Sequence, residues 1–294
     1  MFLSKIIYKL FPKSVFIALR NIHRNILKSL NSPLQEEEFR RILSDKLGVK
    51  SGSVVFIHAS VDSMNIQFDS ARLLEILIET VGENGTLVFP CWHFTYRAED
   101  YLRSGKIFDV RRSPSALGML SEMARRYPGA CRSLHPTNSI VSIGKHAQEI
   151  TSTHHADIYP CGTESPYYKT MQLGGSIIGI GVNAHFMSFV HCPEDVIKQQ
   201  FPIKTRLDEV FDARVRIQDG SEITVKTLAA HPQIHHNDIN LFLSKYVDKS
   251  VSRNVTIRGN RFFIAHPVEL FNSIVDLSKE NKTIYTKKAI HRNS

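Results

Sequence analysis

Apolar residues recur along this chain with two different periods, and the alternation of those periods outlines the fold. In "EEEFRRILSDKLG" the residues Phe39, Ile42, Leu43 and Leu47 return every three to four positions and share one face of a helix. "SVVFIHAS" (53–60) is a short β-branched run that reads as a strand. Leu73, Leu74, Leu77 and Ile78 then predict a helix over about 70–81, and "GTLVFP" (85–90) a second strand. "SALGMLSEMARRY" (115–127) is helical, while "NSIVSIG" (138–144) and "GSIIGIG" (175–181) are strands. "ARVRIQDGSEITVK" (213–226) alternates around Asp219-Gly220 and predicts a hairpin; "VTIRGNRFFIAHP" and a helix near 267–278 follow it. Strands interleaved with helices predict an α/β fold: a mixed, largely parallel central sheet flanked by helices, with a small antiparallel β hairpin or lobe in the C-terminal third.

The first 35 residues differ from the rest. In "MFLSKIIYKLFPKSVFIALRNIHRNILKSL", Phe2, Leu3, Ile6, Ile7 and Leu10 have helical spacing, as do Phe16, Leu19, Ile26, Leu27 and Leu30 after Pro12. The longest unbroken apolar run is five residues, Val15 to Leu19, too short for a bilayer span or a secretion signal. Six of the chain's basic side chains (Lys5, Lys9, Lys13, Arg20, Arg24, Lys28) and none of its 28 acidic ones lie here. The formal charge of +9 therefore belongs largely to this arm. Two readings fit a basic amphipathic segment over residues 1–30. It can pack on the protein body or a second subunit, which would make a homodimer, or it can lie on anionic lipid. Nucleic-acid binding is disfavoured, because aromatic interleaving and a recognition motif are both missing.

With 294 residues, 42% of them hydrophobic, the remainder from 36 to 294 is expected to form one large domain, with a β-rich insertion at about 205–265. The four cysteines, Cys91, Cys131, Cys161 and Cys192, form no CxxC pair, so reduced thiols in the cytoplasm are expected, with the arm at the inner face of the membrane if it binds lipid.

Polar clusters follow the predicted strands: His58-Ala59-Ser60, Cys91-Trp92-His93, and the stretch Asn183 to Glu194. In open α/β sheets ligands gather at such strand ends. Within "SFVHCPED" (188–195), His191 and Glu194 would share a helix face, where the carboxylate could orient the imidazole. Histidine titrates nearest neutrality and suits a general base. Three other chemistries fit less well. "LGGSIIGIG" lacks both phosphate-loop orders, and its glycines suit close backbone approach within a strand. The histidines and cysteines form no recognised metal spacing, so no metal site is expected. Cys192 beside His191 would point about 100° away from it on a helix, poor geometry for a catalytic thiol pair.

Taken in order, these segments resemble the aminoglycoside 3-N-acetyltransferase family. "VVFIHASVDSM" is similar to the family's His-Ser-Ser-Leu-Ser-Ser turn, and "GTLVFPCWHFTY" to its Gly-Thr-Leu-Val-Met-Pro-Thr. "SPSALGMLSEMARRYPGACRSLHPTNSIVSIGKHA" matches its Ser/Thr-Pro-Ser, Met-Gly, Arg-Arg, Pro-Gly, Arg-Ser-x-His-Pro and Ser-x-x-x-x-Gly signature almost position by position. "GTESPYYKTMQLGGSIIGIGV" resembles its Ser-Pro…Gly-Gly block, and Ser188-Phe-Val-His191-Cys-Pro-Glu194 its Thr-x-x-His-x-x-Glu. The likeness spans about 37–280 and leaves the arm outside.

The resemblance implies an acetyl-CoA-dependent N-acetyltransferase that needs no metal and forms no covalent enzyme intermediate. It implies His191 as general base, with Glu194 orienting it. His58, Ser60, Val61 and Ser63 would hold the pantetheine arm with help from Ser113 and Ser115, and Ser188 would stand near the thioester. Arg132, Ser133, His135 and Ser139, with Trp92, would shape the acceptor side. Ala59 stands where the family has Ser, Val61 where it has Leu, and Met187 where Asn is frequent. A polycationic aminoglycoside needs several carboxylates, and only Asp62, Glu164, Glu194 and Asp195 fall near the expected site. An amino sugar, nucleotide-linked in one version, is therefore the acceptor expected from the sequence. An aminoglycoside is the first alternative and a non-catalytic binding module the second.

Overall fold

The computed structural model describes residues 29–285, together with Val15 and Leu19, so the readings made for the N-terminal arm lie outside the described residues. Helix α1 (Glu36–Arg41) runs into a π-helical turn, Ile42–Lys46, and buries Phe39, Ile42 and Leu43 as the periodicity predicts. Strand β1 (Val54–Ala59) follows, then α2 (Ser70–Val81). Asp69 caps α2 by accepting the Arg72 N–H at 2.8 Å, and Gly82 closes it at a φ of 62°. Next come β2 (Thr86–Pro90), α3 (Ala98–Arg103), β3 (Phe108–Asp109), α4 (Met119–Arg126), β4 (Cys131–Arg132) and β5 (Ile140–Gly144). The centre of the chain adds α5 (Ala147–Thr151), α6 (Pro166–Gln172), β6 (Ser176–Ile180) and α7 (His191–Ile197). The last third holds β7 (Arg206–Arg216), β8 (Glu222–Ala230), α8 (Ile239–Tyr246), β9 (Ser252–Ile257), β10 (Asn260–Ala265) and α9 (Pro267–Lys279).

Seven strands form the main sheet in the order β4-β5-β2-β1-β6-β10-β9. The sheet is mixed, as expected, but its parallel part is smaller than expected. Only β1 pairs in parallel, with β2 on one side and β6 on the other; the flanking pairs are antiparallel. The links β4–β5 and β9–β10 are too short for the crossover that parallel neighbours require.

Strand β1 shows why the sheet sits where it does. Val54 and Phe56 face one buried cluster while Val55 and Ile57 face the other, so both faces are covered and the run is apolar without interruption. Helices α1, α2 and α4 contribute Phe39, Leu73 and Leu120 to one face. The other receives Tyr167 of α6, Cys192 of α7, Phe242 of α8 and Leu270 of α9.

The glycines of "LGGSIIGIG" act by close approach. A Cβ on Gly179 would lie 2.1 Å from the Phe263 ring, which fills the space across the β6–β10 pair. Gly181, at a φ of 74°, lets the chain pass against the carbonyl of Ser60; a Cβ there would lie 2.3 Å from that oxygen. The hairpin predicted at 213–226 is β7–β8, turning at Asp219-Gly220, and with β3 it makes a separate three-stranded sheet. Strands β9 and β10 belong to the main sheet. No helix among the described residues is long and apolar enough to cross a membrane.

Candidate active site

The chain leaves β6 through two short 3₁₀ turns, Ala184–Phe186 and Ser188–Val190, and enters α7 at His191. One helical turn separates His191 from Glu194, and their side chains meet as the spacing predicts: Nδ1 lies 2.9 Å from Oε2. Glu194 is buried, with its side chain 1% exposed, whereas the imidazole is 22% exposed. The hydrogen bond assigns the proton to Nδ1, which leaves Nε2 with a free lone pair. A second donor holds the carboxylate, because the Tyr285 hydroxyl lies 2.8 Å from both of its oxygens. Burial, and then the adjoining Glu194 charge, push the Tyr285 phenol well above its ordinary value, so it remains a donor.

The next residue anchors the helix. Asp195 is fully buried and accepts from the Cys161 N–H at 2.8 Å, from Arg206 Nε at 2.8 Å and from Arg206 Nη2 at 2.6 Å. Burial alone would depress the Arg206 guanidinium, but Asp195 outweighs it and raises the pKa. Cys192, between these residues, is inert: burial pushes its thiol far up, so no thiolate nucleophile is on hand.

A cavity of about 660 Å³ opens at the C-terminal ends of β1, β2 and β6. Among the residues singled out in the sequence, His58, Ser60, Ser63, Trp92 and Ser188 line it. Ser60 and Ser63 face each other across a 3₁₀ turn, with their hydroxyls 2.8 Å apart. Val61, between them, packs against the core beneath the turn. The Ser188 hydroxyl donates to the Tyr167 hydroxyl at 3.2 Å. Burial holds the His58 imidazole down at about 3, so it is neutral, and its Nε2 has no hydrogen-bond partner among the described residues. His191 stands one turn beyond Ser188 and is not itself part of the cavity wall.

The remaining predicted residues support the site from behind. Arg132 is buried and donates to the carbonyls of Cys91 (2.7 Å), Ser113 (2.5 Å) and Val110 (3.2 Å), tying the loop after β2 to the segment before α4. Ser139 donates to the Cys91 carbonyl at 2.6 Å. Ser133 bonds the His154 ring at 2.9 Å. His135 accepts backbone N–H groups from Thr137 and Asn138 and meets the Thr227 hydroxyl at 3.1 Å. The Ser113 hydroxyl accepts the Asp109 N–H, and the Ser115 hydroxyl accepts that of Leu117. These six residues, Arg132, Ser133, His135, Ser139, Ser113 and Ser115, lie off the cavity wall.

Asp62 lies on the cavity wall, whereas Glu194 and Asp195 are committed to the interior. No group of three or more His, Cys, Asp or Glu side chains among the described residues is placed to hold a metal ion.

A mixed α/β sheet, with a carboxylate-bonded histidine at the start of the helix that follows a central strand and one turn from a cavity-lining serine, defines the class of protein. The chain belongs to the aminoglycoside 3-N-acetyltransferase family, whose model matches residues 56–278. It is 26% identical over 197 residues to aminoglycoside N(3)-acetyltransferase IX of Micromonospora chalcea, covering 60% of this chain and 68% of that protein. To aminoglycoside N(3)-acetyltransferase VII of Streptomyces paromomycinus it is 28% identical, covering 58% and 63%. The chain thus spans about two thirds of these curated relatives' length. Among solved structures, aminoglycoside acetyltransferase AAC(3)-Xa superposes with a TM-score of 0.73 at 21% identity over 90% of this chain and 99% of that one. AAC-IIIb in binary complex with coenzyme A superposes at 0.69, with 18% identity over 87% and 100%. Both structures establish the shared fold.

Tyr285, Tyr167 and the Asp195–Arg206 pair carried no sequence signal. Tyr285 lies 91 positions from Glu194, and no local pattern spans that distance.

Proposed function

We propose that this chain transfers the acetyl group of acetyl-CoA to an amino group of an aminoglycoside, with His191 as general base. The observation that carries the reading is the His191–Glu194 hydrogen bond, backed by the buried Tyr285 hydroxyl. An amine attacks a thioester through its lone pair and must shed a proton as the new C–N bond forms. His191 Nε2 accepts that proton, and Glu194 stabilises the resulting imidazolium through Nδ1–H. The C–S bond breaks, and the coenzyme leaves as a thiolate that recovers the proton. The turn at Ser60 and Ser63 and the hydroxyl of Ser188 would bind the pantetheine arm and the thioester.

The names of the relatives favour aminoglycosides over the nucleotide-linked amino sugar expected from the sequence. One observation keeps that second acceptor in play: the cavity wall carries Asp62 against Arg258 and Arg261, a poor match for a polycation. Release of free thiol from acetyl-CoA, measured on a panel of aminoglycosides and nucleotide-linked amino sugars, discriminates the two. His191→Ala is expected to lower kcat by about 10²–10⁴-fold, the range for loss of a general base, while coenzyme A still binds. Unchanged turnover in a folded variant would overturn His191 as the base, whereas a parent that releases no thiol with any acceptor would leave a binding module.

A further inference from the structure

At the mouth of the cavity stand two side chains that the acetyl-transfer mechanism does not use. Phe186 ends the 3₁₀ turn after β6 and is 60% exposed although it lines the cavity. A phenyl ring held in solvent at the edge of a cavity is a surface awaiting a flat partner. Arg261, at the start of β10, also lines the cavity; it is exposed, and its guanidinium has no ion pair or hydrogen bond among the described residues. The two belong to one rim, because the turn carrying Phe186 is tied to the β9–β10 hairpin by the Ala184 N–H, which donates to Asn254 Oδ1 at 2.8 Å.

The hairpin is built to present that rim. Its two-residue turn places Arg258 at a φ of 47° and Gly259 at 75°, the left-handed pair that matches the twist of flanking strands. Arg258 adopts this disfavoured conformation under restraint, bonded to Ser32 Oγ at 2.7 Å and paired with Glu38 at 3.1 Å. Arg258 is thereby committed to the protein, and Arg261 is the cation left facing the mouth. An anionic group of a ligand in the cavity would find in Arg261 a guanidinium with all its donors available.

We propose that Phe186 and Arg261 form a subsite for a nucleoside diphosphate, with the base stacked on the ring and a phosphate held by the guanidinium. Arginine suits the role because its planar fork matches phosphate oxygens in pairs. Two sources supply this chemistry, the phosphoadenosine diphosphate end of coenzyme A and the nucleotide of a nucleotide-linked acceptor. The inference rests on the reading that this cavity receives the reactants, yet its test needs no turnover, so the two can fail separately.

The test is calorimetric titration of the full chain with 3′,5′-ADP, with UDP and with pantetheine, comparing the parent with Arg261→Gln and Phe186→Ala. Each variant is expected to weaken nucleotide binding by about tenfold, the scale of one lost charge-assisted or stacking contact, with pantetheine binding retained to show that the cavity is intact. Loss confined to 3′,5′-ADP assigns the subsite to the coenzyme; loss confined to UDP assigns it to the acceptor. Parent and variants binding both nucleotides alike, or a parent that binds neither, would overturn the proposal.

Discussion

Glu194 is an almost fully buried carboxylate, and its position makes sense only with the groups that hold it. Burying such a charge without donors costs several kcal/mol, and here His191 Nδ1 and the Tyr285 hydroxyl supply them at 2.9 and 2.8 Å. The i,i+3 spacing made the first donor visible in the sequence; the second arrives from beyond α9 and had no local signature. Tyr285→Phe removes the second donor without changing ring volume. It is expected to cost about 1–3 kcal/mol of stability, the range for leaving a buried polar atom short of a partner. It should also lower kcat while KM for acetyl-CoA stays near the parent value. Urea unfolding and steady-state kinetics read the two effects, and a variant unchanged in both would show Tyr285 to be a bystander. The same contrast separates Ser60, Ser63 and Ser188, which do line the cavity, from Arg132, Ser133, His135 and Ser139. A polar cluster in sequence gives no sign of whether its hydrogen bonds will be spent on ligand or on neighbouring backbone.

At the scale of elements, long periodic segments were legible and short ones were not. Helix α2 and strands β1, β2 and β6 fall where the patterns place them, because each contains enough residues to repeat its period. Helices α3, α5 and α6 have 6, 5 and 7 residues, and β3 and β4 have two each, too few to show one. The share of parallel pairing carries no such signal, because strand direction depends on connections rather than on composition, and in the main sheet only β1 pairs in parallel. The join between α7 and the small sheet is likewise long-range: Asp195 on the helix pairs with Arg206 on β7, with side-chain exposures of 0% and 11%. Removing one partner strands a buried charge. Arg206→Ala is therefore expected to destabilise the protein by about 3–5 kcal/mol, and Asp195→Leu with Arg206→Met to recover most of that loss. Denaturant midpoints of the single and double variants check it. A single variant within about 1 kcal/mol of the parent would place this pair among weak surface contacts instead.

Across the whole molecule, neutral histidines set the response to acid. Burial pushes His58 and His154 down to about 3, and His135 falls well below its ordinary value as burial and the neighbouring His154 act together. His93, stacked on Phe108, is lowered to about 4, again chiefly by burial. Each of these side chains regains its ordinary affinity for a proton, near 6.5, when the chain unfolds. Between that value and the folded pKa the unfolded state binds the proton and the folded state does not, so acid favours unfolding. The stability they contribute is complete above about pH 6.5 and declines as pH falls towards 4, by about 1.4 kcal/mol per pH unit for each fully buried histidine. The acidic groups with lowered values act in the same direction but in a lower window. Glu122, held at about 2 mainly by Arg125, starts to lose its contribution only below about 4.5. Unfolding free energy measured from pH 7.5 to 4.5 should thus fall steeply over two pH units in which the carboxylates contribute little. His154→Gln should flatten that slope by about one proton's worth relative to its own value at pH 7.5. A stability profile level from pH 7 to 5 would mean that these imidazoles take up protons in the folded protein, contrary to their burial.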